Sequence, residues 1–373
     1  MKIKKSLSII LIIFIFSCNK EDVKPSLSCT NILDKWEVKS VSIHDGLQKQ
    51  NDIFFPTESI GFSVGNAGSI MKTNDEGENW EIIEFHYLPE TGINSNSLTK
   101  ARLLTAFFID ELIGYIGGEG ETSALNSSTN TDAVFLTTID GGTNWNKIYI
   151  EGVRKINDLV FSDSNNGLGL FYMAGSNEKK LFRTENAGVS WNEVDLPIDK
   201  IASNKFVSSE NKIIIRGVDE TDKSIILASL DNGENWETNS TQQEICNRIY
   251  FINDEVGFAS CGLLFFPETI YKTIDGGISW QEVESPFNVS SLIHFNSEEE
   301  GFIINPNIEY VEGGGELTPV IQHYEVFQTI DGGENWKKSE IDKSCNLMGV
   351  SYSPSKKVFF NIGYTTANKF KIK

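Results

Sequence analysis

The sequence is short of positive charge. Its 373 residues carry 32 Lys and Arg against 52 Asp and Glu, a formal net charge of −20. Nucleic-acid binding needs clustered Lys and Arg to release counterions, so that class is excluded. Electrostatic docking on anionic lipid is excluded on the same ground. Histidine is scarce too: His44, His86, His294 and His323 are scattered, with no metal-ligand spacing. Arginine is limited to Arg102, Arg154, Arg183, Arg216 and Arg248. No G-x-S-x-G, P-loop or dinucleotide fingerprint occurs, and no cofactor or metal is expected. Apolar material is ample, with 39% hydrophobic and 11% aromatic residues, which rules out a disordered or fibrous chain.

The longest apolar run, residues 6–17, follows Lys2, Lys4 and Lys5 and ends at Cys18. It is too short for a comfortable membrane span of about 20 residues and has the size of a signal-peptide core. Ile15-Phe16-Ser17-Cys18 resembles a bacterial lipobox, which implies a lipidated N-terminal Cys18 after removal of residues 1–17. An ordinary secretory signal cut elsewhere is the alternative. Loss of three lysines takes the net charge to −23, so the membrane would be reached through lipid alone. Asn19-Lys20-Glu21-Asp22 resembles the surface-export signal of Bacteroidetes lipoproteins, and residues 18–29 read as a polar tether. The expected location is the outer membrane, facing the surface, with a periplasmic face as second choice.

Seven tryptophans set a period. Six of them close an eight-residue motif: Thr73–Trp80, Thr138–Trp145, Thr184–Trp191, Ser229–Trp236, Thr273–Trp280 and Thr329–Trp336. The third place holds Asp75, Asp140, Asn186, Asp231, Asp275 and Asp331; the fifth holds Gly77, Gly142, Gly188, Gly233, Gly277 and Gly333; the eighth holds Trp80, Trp145, Trp191, Trp236, Trp280 and Trp336. This matches the Asp-box, S/T-x-D-x-G-x-x-W, of sialidases and other β-propellers. An Asp or Asn side chain can accept hydrogen bonds from its own turn, and Gly supplies positive φ. The Trp is expected as a buried plug opening the next strand. Asn186 stands where an acid catalyst would need a carboxyl, so the boxes read as structural.

A second landmark, Gly followed by an apolar residue, recurs at Gly61, Gly114, Gly167, Gly257 and Gly301. Short β-prone runs precede and follow each, as in Ile53-Phe54-Phe55 and Ser69-Ile70-Met71-Lys72. Four short strands per repeat make a propeller blade. Trp-to-Trp distances of 44, 65, 46, 45, 44 and 56 fit a unit of about 45 residues. The expected fold is therefore all-β, a seven-bladed β-propeller of four-stranded antiparallel blades occupying residues 30–373. The strand at Trp36 would complete the C-terminal blade and close the ring.

Extra residues break the period at about 86–102, 117–132 and 304–320. All three are expected as loops on the rim opposite the boxes, where insertions commonly bind. Glu119, Glu121, Tyr310, Glu312 and Glu316 are the candidate binding residues, suited to a sugar, a cation or a basic protein surface; a solvated insertion is the alternative reading. Cys29, Cys246, Cys261 and Cys345 remain after lipidation. Cys246 and Cys261 fall on adjacent strands, so a cross-strand bridge would leave Cys29 to Cys345; four free thiols are equally open.

Two functions compete. Sialidases bind a carboxylate with three arginines, and this chain lacks their Arg-Ile-Pro motif. A two-carboxylate glycosidase working in the propeller channel remains the enzymatic alternative. Across residues 30–373 the Gly-Phe and T-x-D-G-G-x-x-W pattern is similar to the photosystem II stability/assembly-factor propeller family. That resemblance implies a non-enzymatic, seven-bladed binding or assembly module, which in the family works through an Arg-rich patch. Here it covers the scaffold; the acidic balance and five arginines depart from such a patch. The expected function is non-catalytic binding of a protein or glycan partner by a monomer.

Overall fold

The computed structural model describes residues 36–42, 50–83, 86–87, 101–120, 132–240 except 177, 210 and 221–222, 246–261, 269–283, 292–313 except 296, 316–342, 350–352, 358–362 and 366–372. Everything regular in them is β: strands pair antiparallel, save one short edge strand, into six sheets in chain order, giving a β-propeller. The first sheet runs Gln50–Phe54, Gly61–Gly65, Ile70–Thr73 and Glu81–Ile82. A nine-stranded sheet follows and reads as two four-stranded halves, Arg102–Ile148 and Val153–Glu193, joined by the single pairing Lys155↔Glu119. Its ninth strand, His86–Tyr87, lies parallel to Asn144–Ile148 at the edge. Three more sheets cover Lys200–Ser240, Cys246–Val283 and Leu292–Asp342. In the last sheet Trp36–Ser42 pairs with Thr366–Ile372, from Trp36↔Ile372 to Ser42↔Thr366.

First strands of neighbouring sheets pack on one another, which puts them innermost, and the short fourth strands are exposed. The landmark glycines hold the core. An aromatic six residues before each Gly lies flat on it: a Cβ on Gly61 would stand 2.5 Å from the Phe55 ring, and one on Gly114 would stand 2.2 Å from Phe108. Phe161, Phe251 and Phe295 cover Gly167, Gly257 and Gly301 in the same way. The residue after the Gly then stacks on the covering aromatic of the next unit, Phe62 on Phe108 at 3.7 Å, Tyr115 on Phe161 at 3.7 Å, and Phe258 on Phe295 at 4.0 Å. Each covering aromatic also meets the box Trp of its own unit edge-on, as Phe108 meets Trp145 at 6.3 Å. One three-ring pattern therefore packs strands within a unit and units against each other.

Lysines add a second tie. Lys72, in the strand leading to the first box, donates to Gly141 O of the next box at 3.1 Å. Lys272 does the same to Gly332 O at 2.9 Å.

Two expectations are corrected. The insertion at 304–320 is not a loop: Gly301–Gly313 and Glu316–Thr329 form one long hairpin, paired as far as Gly313↔Glu316. Ile308-Glu309-Tyr310 on one strand and Tyr324-Glu325-Val326 on the other alternate apolar and polar residues, as a continued ladder requires. The box tryptophans are also less buried than expected. Trp145 is 3% exposed, but the other five are half-buried. Trp145 also differs in its strand, which is paired along its outer edge by His86–Tyr87, with Trp145 opposite Tyr87.

Candidate functional site

The two rims of the propeller are chemically different. On one lie the box turns, which satisfy themselves. In the first, Thr73 Oγ1 donates to Asp75 Oδ1 at 2.8 Å and accepts from Gly77 N at 3.0 Å. Asp75 also accepts from Asn79 N at 2.9 Å and Asn79 Nδ2 at 2.7 Å. These donors hold Asp75, Asp231 and Asp275 down at about 2, against the desolvation that opposes them in Asp75 most of all. Asn186 takes the same place, accepting from Ser190 N at 2.9 Å. Every box from Asp75 to Asp331 repeats this geometry, and Gly188 sits at φ 81° as the turn requires. The aspartates are spent within their own turns.

The opposite rim gathers cations. Where first strands begin, second strands end and third strands begin, Lys155 stands opposite Tyr172, and Tyr172 opposite Lys179. The ring is thus flanked on both sides: Lys155 Nζ lies 5.0 Å and Lys179 Nζ 5.6 Å from its centroid, with the Arg154 guanidinium at 5.5 Å. Burial pushes the Lys179 ammonium down to about 8, helped by the charges of Arg216, Lys155 and Lys200. Burial lowers Arg216 and Lys155 as well; Arg102 and Arg154 push Lys155 the same way while Glu119 resists. Five cations, Arg154, Lys155, Lys179, Lys200 and Arg216, thus stand close enough to repel in a chain of net charge −20. Next to them a cleft of about 780 Å³ opens between Lys179–Thr184 and Lys200–Ile201, with Leu181, Leu196 and Ile198 among its apolar lining.

The innermost strands carry a second polar cluster. Asp52 accepts from Lys205 Nζ at 2.5 Å and from Ala106 N at 3.1 Å. Asp158 accepts from Thr105 Oγ1 and Phe206 N, both at 2.7 Å. Desolvation and the neighbouring Asp52 push the Asp158 carboxyl up to about 6, against the pull of Lys205. The same two carboxylates hold the Lys205 ammonium up, against its burial. Half of the Lys205 side chain is still open to solvent.

The expected binding residues fare unevenly. Glu119 is not an exposed rim group: it is 4% exposed and paired with Arg102 Nη1 at 2.5 Å. It serves as counter-ion at the edge of the cationic rim. Tyr310, Glu312 and Glu316 lie on the long hairpin of another sheet, opposite Pro319, Leu317 and Gly313. Backbone pairing does not join them to Glu119. Glu121, Cys18, Cys29 and Cys345 lie outside the described residues, as do most of 86–102 and 117–132. Cys261 is disulfide-bonded, and Cys246 is its register partner on the neighbouring strand. Sequence reasoning missed the cationic rim and the Asp52–Lys205–Asp158 cluster. The paired positions of Lys155, Tyr172 and Lys179 at three successive strand ends were the available signal.

No family model matches the chain. Over 142 residues it is 28% identical to the photosystem II assembly lipoprotein Ycf48 of Synechococcus sp. (strain CC9902), covering 37% of this chain. The chain matches 39% of the length of that curated relative. Among solved structures it is similar to YCF48 bound to D1 peptide, at 16% identity and TM-score 0.62, covering 92% of this chain and 99% of that one. YCF48 from Cyanidioschyzon merolae gives 17% identity and TM-score 0.62 over 90% and 99% of the two chains. The GH74 enzyme of Niastella koreensis gives 12% identity and TM-score 0.59 over 87% of this chain and 53% of that one. At these identities the structural likeness is one of fold.

Proposed function

We propose that the chain is a surface-anchored lipoprotein whose propeller, seven-bladed and closed through Trp36–Ser42, is a non-catalytic module that docks an anionic segment of a protein partner on its cationic rim. The gathering of Arg154, Lys155, Lys179, Lys200 and Arg216 around Tyr172 in an acidic chain carries this reading. Mutually repelling, partly desolvated cations are stabilised by an incoming carboxylate, and an aromatic among them offers an apolar contact for the same segment. The Ycf48 relative is by its name an assembly lipoprotein, and a YCF48 structure contains a bound peptide, which favours a peptide over a glycan here. The pairing of Trp36–Ser42 with Thr366–Ile372 supports closure. Lipidation at Cys18 rests on the lipobox alone.

The glycosidase reading loses ground on geometry. All four oxygens of Asp52 and Asp158 are occupied by an ammonium, a hydroxyl and two amides. A general acid and its partner need a free edge toward substrate. The test is cross-linking on intact cells, comparing the chain with an Arg154→Glu, Lys155→Glu double variant. Loss of one specific cross-linked protein in the variant is expected. An unchanged cross-linking pattern overturns rim docking, and full protection of the folded chain from added protease overturns surface exposure.

A further inference from the structure

The connection 202–206 touches both polar clusters within five residues. On its rim side, Lys179 Nζ donates to the carbonyls of Ala202 and Ser203 and to Asn204 Oδ1. The amides of Ala202 and Ser203 donate to Arg216 O at 2.8 and 3.0 Å. On its axial side, Lys205 holds Asp52 and the Phe206 amide holds Asp158. Asn157, beside Asp158, donates to Asn204 Oδ1 at 3.2 Å. A change of charge at Asp158 is thus felt directly by the segment that the Lys179 ammonium and the Arg216 carbonyl hold.

We propose, building on the docking function above, that this connection makes the cationic rim a proton-linked site, in which a proton on Asp158 strengthens the hold on an acidic peptide. With both carboxylates ionised, Asp52, Lys205 and Asp158 together carry one net negative charge on the axial side of the connection. A proton on Asp158 removes it, leaving Lys205 with Asp52 alone and changing the charge held by the segment that Lys179 grips. The charged groups facing Asp158 are Lys205 and Asp52; the polar ones are the Thr105 hydroxyl and the Phe206 amide. That carboxyl titrates near 6, inside the mildly acidic range. Linkage is reciprocal, so bound peptide raises the proton affinity of Asp158 by the factor by which the proton raises peptide affinity. Lys179, displaced to about 8, loses its charge only on the alkaline side, so the two titrations are separable.

The test uses the whole folded chain and rhodamine-labelled hexaglutamate as probe, at constant ionic strength from pH 5.5 to 7.5. Fluorescence anisotropy reads peptide affinity, and the nitrogen–proton NMR signal of Phe206 reads the carboxyl that its amide bonds. Affinity is expected to rise about fivefold toward acid, with an inflection shared by the Phe206 signal. Asp158→Asn should abolish both inflections. Should that variant misfold, two others report with opposite sign: Lys205→Met should move the inflection to higher pH, and Asp52→Asn to lower pH. Peptide binding with no inflection, or one that survives Asp158→Asn, overturns the coupling and leaves rim docking standing. Absence of binding at every pH, with the Phe206 inflection intact, overturns rim docking and the coupling with it.

Discussion

Asp158 sets a measurable trend in stability with pH. Asp158 is 7% exposed, and its carboxyl moves from an ordinary value of 3.8 to about 6 in the folded chain. The folded state therefore holds this proton more tightly than the unfolded state does. Between those two values the folded chain binds the proton and the unfolded chain has released it, so this group's contribution to stability falls as pH rises. Above about 6 both states are ionised and the loss is complete. A displacement of this size corresponds to about 3 kcal/mol. Asp158→Asn keeps the shape and the two hydrogen bonds, because the amide can donate to Thr105 Oγ1 and accept from Phe206 N. It lacks the buried charge. At pH 4.5 the variant should already be more stable by about 1 kcal/mol, and by pH 7.5 the gap should widen to about 3 kcal/mol. Other carboxylates titrate in both proteins and cancel in the difference. A difference that stays constant from pH 4.5 to 7.5, or that favours the parent at the alkaline end, would refute the reasoning.

Three further predictions concern the scaffold. Gly188→Ala places a Cβ 2.3 Å from the Phe135 ring at φ 81°, and should lower stability by about 2–4 kcal/mol in chemical denaturation; Ala187→Gly, at φ 58°, should be neutral to mildly stabilising. Truncating Trp145 to Ala should cost about 3–5 kcal/mol, and truncating half-buried Trp80 clearly less, by the same assay. Cys261→Ser opens a bridge which, if made to Cys246, closes about 15 residues; it should lower stability by about 3 kcal/mol without reductant, and reductant should erase the difference.

Much of the scaffold could be read from residue types because repetition multiplies weak signals. A single Asp-box is a turn; six of them at a spacing near 45 residues set the strand count of the unit. The aromatic seat was less visible. Its two halves, Phe108 and Gly114 for example, lie on different strands, so the recurring spacing of six residues shows their contact only once the strands are paired. The hairpin at 301–329 departs from the expected loop because length alone does not tell a ladder from a coil; the alternation Ile308-Glu309-Tyr310 is the better guide. The cationic rim was hidden by averaging. A net charge of −20 describes the whole chain, whereas Lys155, Tyr172 and Lys179 meet only through cross-strand register.

The two rims also explain why repetition and function part company. On the box rim each aspartate is satisfied by amides and hydroxyls of its own turn, as Asp75 is by Thr73 and Asn79. Side chains at the second and sixth box places point outward and vary from Ile139, 80% exposed, to Glu234, which pairs with Arg183 of the preceding unit. Such a surface has few unmet charges with which to recognise a partner. On the opposite rim the repeat relaxes, strands differ in length, and cations stand together at desolvated positions. A binding partner gains most where it relieves an existing electrostatic penalty. Lys179 and Arg216 carry that penalty, and the Lys179 ammonium and the Arg216 backbone both hold the one connection, 202–206, that also reaches the axial carboxylates. The place where the repeat is broken is therefore the place where occupancy and protonation can be coupled.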